Sequence, residues 1–130
     1  MASIVRSQNP GESLTILTVV GEVTSGEVVG ALEQFLKGGV TRDLLWDFRG
    51  AKLSAIHRDD IERIIAVAKA GAHLRPDGRT ALVVGDLLSF GISRMYELLA
   101  ELKDHPIRHH VFRDVEEALA WLRPAPADSA

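Results

Sequence analysis

The chain has 130 residues, 46% hydrophobic and 25% charged, enough for one closed core, and this composition excludes global disorder. A net charge of -3 with scattered lysine and arginine gives no long-range pull toward nucleic acid or anionic lipid. The absence of cysteine excludes disulfides, thiolate metal sites and a cysteine nucleophile, and suits a reducing compartment.

Residues 1–10 include Arg6, Gln8 and Asn9 and lack the apolar stretch of an export signal. No apolar run approaches the roughly 20 residues of a membrane-spanning helix. The expectation is therefore a cytoplasmic protein with no integral membrane segment and no nucleic-acid partner. Asn9-Pro10-Gly11-Glu12 is turn chemistry between Ile4-Val5 and the β-prone run from Leu14 to Val20, which predicts an N-terminal hairpin. At Thr24-Ser25-Gly26-Glu27 a hydroxyl precedes a carboxylate by three residues, the spacing of a capping box. The helix it opens carries Val28, Leu32, Phe35 and Leu36 on one face and ends at Gly38-Gly39.

Leu44-Leu45-Trp46-Asp47-Phe48 is short and almost wholly apolar, as a strand covered on both faces should be. A second helix is predicted over 57–72, with Asp59 and Asp60 in its first turn and Ile61, Ile64, Ile65 and Ala68 inward. Pro76-Asp77-Gly78 then turns the chain into a buried strand, Thr80-Ala81-Leu82-Val83-Val84. A third helix is predicted over Leu87–Leu102, with Leu88, Ile92, Met95, Leu99 and Leu102 as the stripe that covers the sheet. Asp104-His105-Pro106 stops it, 107–112 forms the last strand, and Asp114-Val115-Glu116-Glu117 opens a fourth helix with Ala118, Leu119, Trp121 and Leu122 inward. Alternating helices and strands after a hairpin demand an α/β fold with a four- to five-stranded, mostly parallel sheet and about four helices. Residues 1–123 are expected to form one domain and 124–130 a flexible, proline-rich tail.

Three segments of this order resemble the STAS fold, named after sulphate transporters and anti-sigma-factor antagonists, and more closely its stand-alone SpoIIAA-like branch. They are Leu45-Trp46-Asp47-Phe48-Arg49-Gly50-Ala51; Gly78-Arg79-Thr80-Ala81 continuing to Phe90-Gly91-Ile92-Ser93-Arg94-Met95-Tyr96; and Val111-Phe112-Arg113-Asp114-Val115-Glu116-Glu117-Ala118-Leu119-Ala120-Trp121-Leu122. The resemblance implies a non-catalytic regulatory module that binds a protein partner or a small ligand; some such folds are compared with the lipid-carrying CRAL-TRIO domain. In anti-sigma-factor antagonists the strand aspartate leads to Asp-Ser-Ser-Gly, whose second serine is phosphorylated. Matching Asp47 to that aspartate sets the tetrapeptide on Ala55-Ile56-His57-Arg58, where the acceptor serine is missing. Ser54 is the nearest hydroxyl and the one candidate for phosphorylation.

The loop over 49–58 leaves the carboxyl end of a central strand, where open α/β sheets bind ligands, and it carries Arg49, Lys52, Ser54, His57 and Arg58. An anion could sit there among these cations; as solvated loop charges they bind nothing. Asp47, inside an apolar strand, must find donors, and Arg94 or Arg49 is the expected partner. Gly85-Asp86 and Ser89-Phe90-Gly91 should face the same edge, with Phe90 and Arg94 forming the other wall of a site. His109 and His110, adjacent on a strand, point to opposite faces, so with His105 they form no familiar metal set. No Gly-x-Gly-x-x-Gly, phosphate-loop lysine or Gly-x-Ser-x-Gly motif is present, so no cofactor or catalytic residue is expected.

Two functions follow: a regulatory module acting through a protein partner or self-association, or a carrier of a small apolar or amphipathic anion. A deep cavity lined by Ile61, Ile65, Leu88, Phe90 and Ile92 would favour the carrier. A filled core with an apolar surface patch would favour the interaction module.

Overall fold

The computed structural model describes residues 2–123; the predicted tail lies outside them. The hairpin forms from β1 (Ser3–Asn9) and β2 (Leu14–Glu22), joined by a single 3-10 turn. Helix α1 (Ser25–Lys37) follows, then β3 (Asp43–Lys52), α2 (Arg58–Ala70), β4 (Arg79–Val84), α3 (Leu87–Leu102), β5 (Arg108–Phe112) and α4 (Val115–Leu122). The strands lie side by side in chain order; β1 runs antiparallel to β2 and the other pairs are parallel. The expected fold class is thus realised, with five strands and four α-helices among the described residues.

Local chemistry sets the helix ends. Thr24 accepts from the Glu27 amide while Glu27 accepts from the Thr24 amide, closing the predicted capping box. Asp86 accepts from the Ser89 amide and Asp114 from the Glu116 amide, so both later helices start on a carboxylate that complements the helix dipole. Gly39, at φ +81, turns the chain after α1 in a conformation that favours glycine.

Strand alternation divides the sheet into two faces. Leu17, Val19, Leu44, Trp46, Phe48, Leu82 and Val84 meet α1, α2 and α3 in the larger core; Leu14, Leu45, Ala81 and Val83 meet α4 in the smaller one. A single helix covers only part of its face, and Val5 and Val20, on the hairpin, stay exposed there.

Helix α3 departs from expectation. Of the predicted stripe, Ile92 and Leu99 are partly buried against the core, but Leu88, Met95 and Leu102 are exposed. The side packed deepest is Ser89, Ser93 and Ala100. Below the helix, Trp46, Phe48 and Leu82 of the sheet line one space with Ile92, Ser93 and Tyr96 of α3, and Tyr96 lies over His109.

Candidate functional site

The predicted rim residues do not form one site. Asp47 and Arg49 do pair: Arg49 Nε reaches Asp47 Oδ1 at 2.9 Å, its terminal nitrogen reaches Oδ2 at 2.9 Å, and its amide donates to Oδ1 at 3.1 Å. Those bonds from Arg49 hold the Asp47 carboxyl below its ordinary range against the opposing effect of burial. Both residues share the α4 face of β3 with Leu45, whereas Phe90 packs into the core on the other face. Arg94 is engaged elsewhere, donating to Glu97 at 2.9 Å. Ser54 and His57 are exposed. The His57 amide donates to Asp60 at 2.9 Å, so the start of α2 carries its own anion. The glycine loop does meet the Arg49 loop: a Cβ at Gly85 would stand 2.8 Å from the Arg49 carbonyl oxygen. The rim is therefore a self-neutralised edge, with Arg49 matched to Asp47 and the helix starts matched to Asp60, Asp86 and Asp114.

A second group lies under α3, at the opposite ends of the strands, and sequence reasoning did not join it. A cavity of about 50 Å³ is lined by apolar residues including Leu32, Trp46 and Ile64, with Arg75, Thr80, Ser93, Tyr96 and His109. Arg75 is buried; its Nε donates to the Arg42 carbonyl at 3.0 Å, its terminal nitrogen donates to the Arg79 carbonyl at 2.9 Å, and its guanidinium lies 5.4 Å from the centre of the Phe35 ring. Desolvation lowers its pKa to about 10, which leaves it charged at neutral pH. Thr80 Oγ1, His105 Nε2 and His109 Nδ1 are buried without hydrogen-bond partners among the described residues. Burial brings His105 down to about 4 and His109 to about 3, with Arg75 adding to both, and pushes the Tyr96 phenol up.

Of the residues expected to line a deep pocket, Ile61 and Ile92 do so; Ile65, Leu88 and Phe90 do not. About 50 Å³ is far below the roughly 150 Å³ that holds one benzene, and its polar end suits an ordered water. Thr80→Val is expected to stabilise the fold by about 1 kcal/mol, since it removes a hydroxyl that has no protein partner. Denaturant unfolding at constant slope reads this out; a loss of stability would mean that the hydroxyl anchors an integral water.

The third feature is the outer side of α3. Leu87 and Leu102 are 75% and 77% exposed, and Leu88, Met95 and Leu98 lie between them at 60%, 41% and 47%. Lone exposed leucines are ordinary, but five large apolar side chains on one helix make a contiguous patch of the kind that marks an interaction surface. Among the described residues no helix is long and apolar enough to cross a membrane.

No family model matches the chain, and no curated protein matches it. Solved structures do. An uncharacterised DUF3478-family protein with a SpoIIAA-like fold from Shewanella loihica PV-4 is 19% identical, with a TM-score of 0.55 over 93% of each chain. An anti-sigma factor antagonist from Mycobacterium paratuberculosis is 13% identical, with a TM-score of 0.61 over 95% of this chain and 96% of the other. The anti-sigma factor antagonist SpoIIAA in its unphosphorylated form is 10% identical, with a TM-score of 0.58 over 95% of this chain and 100% of the other. At these identities the likeness is one of fold, and the fold is SpoIIAA-like.

Proposed function

We propose that this chain, having the SpoIIAA-like fold, is a non-enzymatic regulatory module that binds a protein partner through the outer face of α3. The observation that carries this reading is the orientation of that helix, which turns Ser89, Ser93 and Ala100 inward and leaves Leu87, Leu88, Met95, Leu98 and Leu102 in solvent. Burying that stripe against a partner recovers the hydrophobic free energy that the isolated domain forgoes. Two of the structural neighbours are anti-sigma factor antagonists, which supports a role exercised on protein. Ala55-Ile56-His57-Arg58 stands at the position of the acceptor motif, so binding here is not switched by phosphate at that position. Residues 1–123 act as one domain in this reading, and the cysteine-free composition suits the cytoplasm.

The carrier reading is weaker, because the cavity is water-sized and Arg49 is neutralised by Asp47. A photo-cross-linking residue at position 98 or 102, compared with one at exposed position 33 on α1, tests the docking face in living cells. Discrete protein adducts are expected from 98 and 102 and none from 33. Equal labelling from all three positions, or none from any, would refute the reading.

A further inference from the structure

We infer that the occupant of this face is a second copy of the chain, its α3 packed antiparallel on the first; the inference rests on the docking role just proposed. Leu88, Gly91, Met95, Leu98 and Leu102 follow one another at intervals of three, four, three and four, the spacing of a two-helix seam. Ser93 and Ala100, both buried at the sheet, occupy the opposite side of the helix, so the seam points straight away from the core. This is the geometry of a helix built to pack on both sides.

The identity of the partner follows from how the seam complements itself. A twofold axis between Met95 and Leu98 sets Met95 on the second copy's Leu98 and Leu102 over its Gly91. A Cβ placed at Gly91 meets nothing within 4 Å, so the leucine has a hole to enter. The same axis brings Arg94, which holds Glu97 of its own chain at 2.9 Å, beside Glu101 of the second copy, and the pair occurs twice by symmetry. A parallel arrangement would stack Gly91 on Gly91, leaving a void, and would give Arg94 an apolar neighbour, Leu99, where the antiparallel one gives it a carboxylate. Such a contact is isologous: each patch meets its own image and the assembly closes at two subunits.

The chain has no cysteine, so introduced cysteines report geometry without background. Residues 91 and 102 are separated by about 16 Å along the helix, and in the antiparallel pair each lies opposite the other, not opposite itself. A disulfide needs Cα atoms within about 7 Å. Mixed Gly91→Cys and Leu102→Cys chains should therefore oxidise to a 91–102 heterodimer, while neither variant cross-links alone. Sedimentation equilibrium of the unmodified chain at about 100 µM should give twice its 14.2 kDa, and Leu98→Glu should weaken the dimer at least about 30-fold. Cross-linking of either variant with itself would show a parallel pair and overturn the inference, as would a dimer indifferent to Leu98→Glu. A wild-type chain that stays monomeric at that concentration also overturns it. In that event, position-98 adducts to a different protein would leave the docking role standing, and their absence would remove both.

Discussion

Arg75→Ala is expected to lower stability by about 3–5 kcal/mol, a large share of what a domain of this size possesses. The guanidinium links three elements: it satisfies the carbonyl of Arg42 ahead of β3, satisfies that of Arg79 at the start of β4, and covers the Phe35 ring on α1. Alanine leaves two carbonyls without this donor and opens a void beside a phenylalanine that is wholly buried. Arg75→Met should lose less, because its side chain keeps the packing of the stem and sheds the cost of burying a charge. Arg75→Lys should fall between wild type and alanine, since a single ammonium cannot reproduce the planar fork. Denaturant midpoints for the three variants give the order; an alanine variant within 1 kcal/mol of wild type would show that the buried cation ties nothing together.

Acid should unfold the domain earlier than its carboxylates require. In the folded chain His105 titrates near 4 and His109 near 3, whereas an unfolded histidine titrates near 6.5. Between those values the unfolded state binds protons that the folded state refuses, so stability falls as pH falls, with a slope approaching two protons. From pH 7 to 4.5 the expected loss is about 2 kcal/mol for the deeply buried His109, and less for the half-buried His105, where solvent screens the effect. Asp47 and Asp60, whose carboxyls are held low by Arg49 and by the His57 amide, contribute stability that is present above their unfolded value near 4 and lost only below it. The window from 6.5 to 4.5 therefore belongs to the histidines. His109→Phe should remove about half the slope while keeping an edge-to-face contact with Tyr96, whose ring lies 5.1 Å from that of His109. Because Tyr96 belongs to α3, the same protonation undermines the helix that presents the docking stripe, and association should weaken over the same interval. A stability curve flat from pH 7 to 4.5 would rule this out.

Most of the fold could be read from adjacent residues. The Thr24–Glu27 box, the Gly38-Gly39 stop, the Pro76-Asp77-Gly78 turn and the carboxylate at 114 act within a few residues of themselves, so their spacing suffices. The Asp47–Arg49 pair was legible only as one of two alternatives, Arg94 being the other; two residues apart on one strand, Arg49 was the local one, and the structure selects it. Arg75 was not: its partners are backbone carbonyls, one of them 33 positions away, and every residue offers a carbonyl. Thr80, Tyr96 and His109 likewise come together only because β4, α3 and β5 are packed around one space.

Helix α3 shows where local information ends. Its sequence determined a helix over Leu87–Leu102 and the sets of residues sharing a side, because a repeat of 3.6 residues is a property of the chain alone. Which side met the sheet was decided by tertiary structure. Rotating a helix about its axis leaves every internal hydrogen bond unchanged, so only the shape of the surface beneath, where Trp46, Phe48 and Leu82 line one space with Ser93 and Tyr96, could select the serine and alanine side and leave the leucines in solvent.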